Sequence, residues 1–217
     1  MCFSDIWGPR KYDEKGHLIG LPGSYLHWRA PTLAEMRWQV WESFRSGAKG
    51  FVCYTLAPEA PDPSTATATA PDVEWKDVLA KNETDLGSNA LTNPDCSATP
   101  QLEELGRVYK RIAPHSALIR LWQRSDSQAI KAEGNGQAQV FADPDSKGLY
   151  AVVLNDDLYE ARDVTLHADK TVTSLTNTVT GQAIELVARA DGTGNTATLR
   201  LEAGDGTIVS VATHGNH

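Results

Sequence analysis

The clearest chemistry in the sequence lies in three consecutive side chains, His27, Trp28 and Arg29. A sugar ring offers an apolar face and a rim of hydroxyls. An indole plane can pack on the first, while imidazole and guanidinium groups donate to the second. Tyr54, at the end of a later apolar run, and Trp75, in a polar segment, are further aromatic candidates for a saccharide ligand. The competing assignment makes Trp28 a packing residue beneath a helix, Arg29 the partner of a loop acid, and Tyr54 a core residue. Other chemistries have less behind them. Of the six histidines, only His214 and His217 stand three apart, in a tail expected to fray, so no metal is expected. Cys2, Cys53 and Cys96 match no zinc spacing, and a Cys2–Cys96 disulfide has no support beyond the count. There is no G-x-S-x-G motif, P-loop or dinucleotide fingerprint, and no cofactor is expected. Gly204-Asp205-Gly206 and Gly134-Asn135-Gly136 read as turns, not phosphate cradles.

The elements that must position these residues begin with a helix. Thr32 to Glu35 form a capping box, and Pro31 keeps the entering chain extended. Leu33, Met36, Val40 and Phe44 mark an apolar face that Trp38 and Trp41 widen. Gly47 suits the position just past the helix, with Lys49 near its negative end. Gly50–Leu56 follows as a run without alternation, as in a strand covered on both faces, where Cys53 is a small hydrophobe. Gly23–Arg29 alternates and reads as a strand ahead of the helix. Strand, helix and strand with short joins predict a right-handed βαβ unit and a parallel sheet.

Residues 1–22 are loop-like and punctuated by Gly and Pro. Residues 57–100 read as a long surface loop, with prolines at 58, 61 and 63 and a Thr/Ala run after them. Within it, Val73–Leu79 suits a short helix, and Asn82-Glu83-Thr84 fits a glycosylation sequon at close to chance frequency. A second helix starts at Thr99-Pro100, with Leu102, Leu105, Val108, Tyr109 and Ile112 on its apolar face. Pro114 ends or kinks it, and His115–Gln123 reads as a further helical piece or a linker. From residue 125 the pattern is that of short strands between turns: Gln137–Ala142, Leu149–Asn155, Arg162–His167, Thr171–Leu175, Ala183–Val187, Thr196–Leu201 and Thr207–Val211. Such a series predicts an antiparallel β-sandwich.

The totals set the class. Among 217 residues, 41% are hydrophobic and 22% charged, an ordinary globular composition. A net charge of −8 argues against nucleic acid and anionic membrane surfaces as partners, and suits a neutral ligand such as a sugar. No apolar run is long enough to span a bilayer. Met1 to Asp5 lack the basic and apolar segments of a signal peptide and read like a chain that starts inside a domain. The expectation is the C-terminal part of a longer protein, or a naturally short relative. Its location is open, and would be extracellular or periplasmic within a longer secreted enzyme.

The run PTLAEMRWQVWESFRSGAKGFVCYTL, residues 31–56, resembles the last helix-and-strand repeat of TIM-barrel glycoside hydrolases. GLYAVVLN at 148–155, TVTGQAI at 178–184 and LEAGDGTIV at 201–209 resemble the small β domain that follows the barrel in many of them. QLEELGRVYKRI, residues 101–112, stands where such enzymes close the barrel. The resemblance implies an α/β plus all-β chain: a partial TIM-barrel-like region over 1–124 with its long loop 57–100, then a β-sandwich domain over 125–217. It also implies a glycoside hydrolase or glycoside-hydrolase-like protein acting on a β-linked saccharide.

That chemistry needs two carboxyl groups, one acid and one nucleophile or base, at the C-terminal ends of barrel strands. On this resemblance the candidates are Asp5 and Glu59. The strand SYLHWR, residues 24–29, aligns with the one that bears the nucleophile in the commonest retaining clan, yet it holds no acid. No nucleophile therefore carries over. The alternative is a non-catalytic carbohydrate-binding or structural accessory module. A partial barrel would leave strand edges open, which calls for a second copy completing it as a homo-oligomer, or for a different compact arrangement.

Overall fold

A computed structural model describes residues 31–52, Leu91 and 97–214, and the backbone of four two-residue strands before them. Those strands are β1 (Ile6–Trp7), β2 (Lys11–Tyr12), β3 (Leu18–Ile19) and β4 (Trp28–Arg29). β1 pairs with β4 and β2 with β3, both antiparallel. The chain divides into two compact units, one of residues 1–33 and 52–104, the other of 34–51 and 105–217. In the first unit, Thr99 donates through both its N–H and its hydroxyl to the Leu91 carbonyl, and Gln101 donates to Pro31.

The helices start and stop where local chemistry directs. α1 spans Leu33–Arg45, directly after Thr32. Beyond it Gly47 sits at φ 97°, with Gly47 N–H donating to Phe44 and Ala48 N–H to Ser43. These paired bonds form a Schellman motif, which needs a left-handed residue. α2 spans Pro100–Ile112, and the Thr99 hydroxyl accepts from Leu102 N–H at 3.2 Å, as an N-cap should. Pro114 does not stop the chain's winding: a 3₁₀ turn, Ala113–His115, leads straight into α3 (Ser116–Leu121). The buried stripe of α1 is Met36, Val40, Trp41 and Phe44, while Leu33 is exposed. On α2 it is Leu105, Val108 and Ile112, while Tyr109 is exposed and meets Phe51 edge-on.

The strands that follow are β5 (Gln123–Arg124), β6 (Ile130–Ala132), β7 (Gly136–Ala142), β8 (Leu149–Asn155), β9 (Arg162–Asp169), β10 (Val172–Asn177), β11 (Gln182–Ile184), β12 (Val187–Ala188), β13 (Gly194–Leu201) and β14 (Gly206–Thr213). They form one sheet ordered β11-β10-β14-β8-β7-β5 and another ordered β12-β13-β9-β6, antiparallel throughout. Alternate residues of both meet in one core. Val140, Ala151, Val153, Leu175, Val209 and Val211 come from the larger sheet, and Ile130, Val164, Leu166, Ala168, Ala197 and Leu199 from the smaller. The arrangement is β-sandwich-like, as the turn spacing predicts. The expected strand Ala183–Val187 is in fact two, because the chain leaves one sheet for the other between Ile184 and Val187.

The opposite face of the larger sheet is buried too. Phe141, Val152, Leu154 and Ile208 are at most 1% exposed, yet they lie outside the sandwich core. The Trp122 ring, just after α3, stacks on Phe141 at 4.5 Å. A Cβ on Gly206 would stand 2.6 Å from the Trp41 ring, so bare backbone is required there. The unit thus has three layers: helices, six strands, four strands. This explains why β8, LYAVVLN, carries an unbroken apolar run although its neighbours are antiparallel: helices cover one face and a second sheet the other.

The described residues show no parallel βαβ unit. Among the described residues every strand pair is antiparallel, β4 included. Gly50, Phe51 and Val52 are not in a strand, and the rest of Gly50–Leu56 lies outside the described residues. A helix flanked by apolar runs fits a barrel repeat by pattern alone, but here the apolar face of α1 is taken up by an antiparallel sheet. The TIM-barrel-like part of the fold is therefore not confirmed.

Candidate functional site

The described structure does not show the side chains of the residues singled out by sequence. Asp5, Glu59, His27, Tyr54 and Trp75 lie outside the described residues. Trp28 and Arg29 are described by backbone only, paired with Trp7 and Ile6. The side-chain clusters that the structure does define are others.

The first joins helices to sheet. Asp205 is 7% exposed in a tight turn between β13 and β14. Its carboxylate accepts from Arg111 Nη1 at 2.9 and 2.8 Å and from Trp41 Nε1 at 2.9 Å. Arg111 Nη2 donates to Gly206 O, and its guanidinium lies 5.5 Å over the Trp41 ring. Arg37 donates twice to Ala203 O. Lys49 donates to Trp122 O, where desolvation draws its ammonium below the ordinary lysine value. A carboxylate held by two donors on Oδ1 and one on Oδ2 serves to fasten the helices to the turn.

The second lies on the smaller sheet. Arg189 Nη1 approaches His167 Nδ1 at 2.8 Å, and His167 Nε2 approaches Glu133 Oε2 at 2.7 Å. Arginine can only donate, so Nδ1 accepts and the ring proton sits on Nε2, facing Glu133. Asp191 holds the far side of Arg189 at 2.7 Å.

The third is the loop between β8 and β9, residues 155–162. Asn155, fully buried, donates to Glu160 O, Leu201 O and Glu202 O. Asp157 Oδ1 accepts from the N–H groups of Tyr159 and Glu160, and Oδ2 from Arg162 Nε. These bonds, the Tyr159 N–H foremost, hold the Asp157 carboxyl below its ordinary value. Gly204 N–H donates to Asp157 O at 2.8 Å. At the base of the loop, Asp156 receives Trp38 Nε1 and Gln137 Nε2, each at 2.6 Å. This scaffold carries Tyr159 outward at 93% exposure. Asn155-Asp156-Asp157 reads as a turn from the sequence, and the Asn155 and Asp157 side chains shape it by accepting backbone N–H bonds.

A shallow hollow of about 430 Å³ is lined by Ser127, Gln128, Asp169, Thr171 and His214, with Ala129 and Leu149. It has no aromatic wall. Among the described residues no group of three or more His, Cys, Asp or Glu is placed to hold a metal ion. Nor is any helix long and apolar enough to cross a membrane.

No family model matches the chain, and no curated relative matches it. Solved structures similar to it include two fucosidases, which are glycoside hydrolases. One is the Thermotoga maritima alpha-fucosidase in complex with a mechanism-based inhibitor, at 10% identity and TM-score 0.34, with 55% of this chain and 28% of that one covered. The other is a bacterial fucosidase with a phenyl-triazolyl pyrrolidine inhibitor, at 17% identity and TM-score 0.31, with 58% and 28% covered. The chain thus spans about a quarter of the length of these structures.

Proposed function

We propose that the chain is a glycoside-hydrolase-like protein acting on a β-linked saccharide. The observation behind this reading is an order of segments: the capped helix and Gly-Ala-Lys-Gly link of residues 31–56, then the helix at 100, then the antiparallel sheets. In this reading Asp5 and Glu59 supply the acid and the nucleophile or base, and His27, Trp28, Arg29, Tyr54 and Trp75 hold the sugar. A second reading, a non-catalytic saccharide-binding module, draws on residues 24–29, which hold no acid.

The test is hydrolysis of nitrophenyl α- and β-glycosides and short oligosaccharides by the purified chain, beside Asp5→Asn and Glu59→Gln. Turnover that falls at least 100-fold in either variant supports the catalytic reading and names a carboxylate. Saturable saccharide binding without turnover, lost in Trp28→Ala, supports the binding module. Neither turnover nor binding removes both.

A further inference from the structure

We infer that Tyr159 is the stacking surface of a saccharide-binding site built on the β8–β9 loop, separate from the His27–Arg29 cluster. The inference rests on the saccharide reading above and adds a place for the ligand.

The loop is over-determined for a connection. Asn155 fixes both its ends, bonding Asp157 N–H through Oδ1 and Glu160 O through Nδ2. Asp157, with a side chain 10% exposed, bonds the two N–H groups at the tip and the guanidinium of Arg162. Asp156 N–H donates to Asn135 O at 2.7 Å, tying the base to the β6–β7 turn. All these bonds converge on a segment whose one large apolar side chain at the surface points into water. Leaving an aromatic ring exposed forgoes about 1.5–3 kcal/mol of burial. A loop locked before binding loses little entropy when a ligand meets it, so the ring is poised as an anchor.

The surroundings select the ligand class. Glu160 and Arg162, 64% and 48% exposed, follow Tyr159 within the next three residues and pair with each other at 2.9 Å. The loop thus offers an acceptor, a donor and an exposed ring on one short segment, the groups that the hydroxyl rim and C–H face of a sugar call for. A protein partner needs a broad apolar centre. The other exposed large hydrophobics among the described residues, Leu33, Val52, Tyr109, Leu121 and Val187, belong to other elements and give this loop no such patch.

The experiment is saturation-transfer NMR and calorimetry of the full chain with gluco-, xylo- and manno-oligosaccharides of six β-linked units. Tyr159→Ala is expected to weaken binding about tenfold or more, the scale of one stacked ring. Tyr159→Trp should keep binding, and both should melt with the wild type because the side chain makes no packing contact. Unchanged affinity in Tyr159→Ala overturns the proposal. If that result comes with binding lost in Trp28→Ala, the saccharide reading stands and the Tyr159 site alone falls. If the wild type binds none of the panel, both fall.

Discussion

Arg111 reaches 94 residues along the chain to Asp205 and places Nη1 within 2.9 Å of both carboxylate oxygens. The pair links α2 to the turn that starts β14, and Trp41 of α1 joins it through its indole N–H. Three elements therefore depend on one carboxylate. Removing one partner of a buried pair leaves the other uncompensated, which costs more than the pair itself contributes. Asp205→Ala should lower stability by about 3 kcal/mol. Arg111→Ala should cost at least as much, because the carboxylate it leaves behind keeps only 9% of its side-chain surface in water, against 28% for Arg111. The double variant should fall well short of the sum. Urea unfolding of the three variants checks this, and strict additivity would show that the contact is incidental.

The two glycines beside Asp205 make a separate prediction. Gly204 adopts φ +64°, and a Cβ there would run into the Ala34 carbonyl oxygen. On Gly206 a Cβ would stand 2.8 Å from Val153 O as well as against Trp41. Neither neighbour can yield easily, one being helix backbone and the other a buried ring. Gly181 has a similar φ, +73°, but open space around it. Gly181→Ala should therefore cost about 1 kcal/mol, for the left-handed backbone alone. Gly204→Ala and Gly206→Ala should each cost about 2–4 kcal/mol, with clash added. Equal losses at Gly181 and Gly204 in thermal melts would mean that the α1 contact is loose.

What could be read beforehand follows the range of the forces involved. Gly47 and Thr99 were legible because a cap is decided within one helical turn. β8 was legible to the residue, and turn chemistry marked most other strands. β5 and β6 were not, since two or three residues are too few to show alternation. Nor was the switch of sheets after Ile184, where side chains keep alternating while the partner changes from β10 to β13. Gly204-Asp205-Gly206 read correctly as a turn, but nothing local says that its aspartate is buried against Arg111. The same limit explains the barrel expectation, because what covers α1 is a sheet formed more than 90 residues later. The chemistry proposed for Asp5 and Glu59 rests on residues outside those described.

Trp122 stacks on Phe141 at an interplanar angle of 17°, yet its buried indole N–H has no partner among the described residues. The ring contributes packing while its nitrogen carries a desolvation cost of about 1–3 kcal/mol. The two halves of the stack should therefore respond differently. Phe141→Ala opens a cavity against a buried ring and should cost about 3–5 kcal/mol. Trp122→Phe loses some contact area but removes the orphaned donor, and should cost less than half as much. Denaturant titration followed by near-ultraviolet circular dichroism reports both. A Trp122→Phe loss equal to that of Phe141→Ala would show that the N–H is satisfied after all.

Acid should loosen the turns before it unfolds the sheets. Asp143, Asp157, Asp169 and Asp191 are each held below the ordinary carboxylate value. For Asp143 the main cause is the Ser146 hydroxyl; for the others it is a backbone N–H, that of Tyr159, Thr171 and Thr193 in turn. A carboxyl with a depressed folded value binds fewer protons in the folded chain than in the unfolded one. Its stabilisation is complete above the unfolded value of about 3.9 and is lost as pH falls through the lower folded value. The melting temperature should therefore be level near neutrality with respect to these groups and decline progressively below about pH 4. Asp157→Asn keeps an oxygen for the Tyr159 and Glu160 N–H groups but cannot pair with Arg162 as an ion. It should melt lower at pH 6 and show a shallower decline between about pH 4 and 2, since one of the four titrating groups is gone. Calorimetric melts across that range decide the matter: a decline as steep as that of the wild type would mean that Asp157 does not contribute to the acid response.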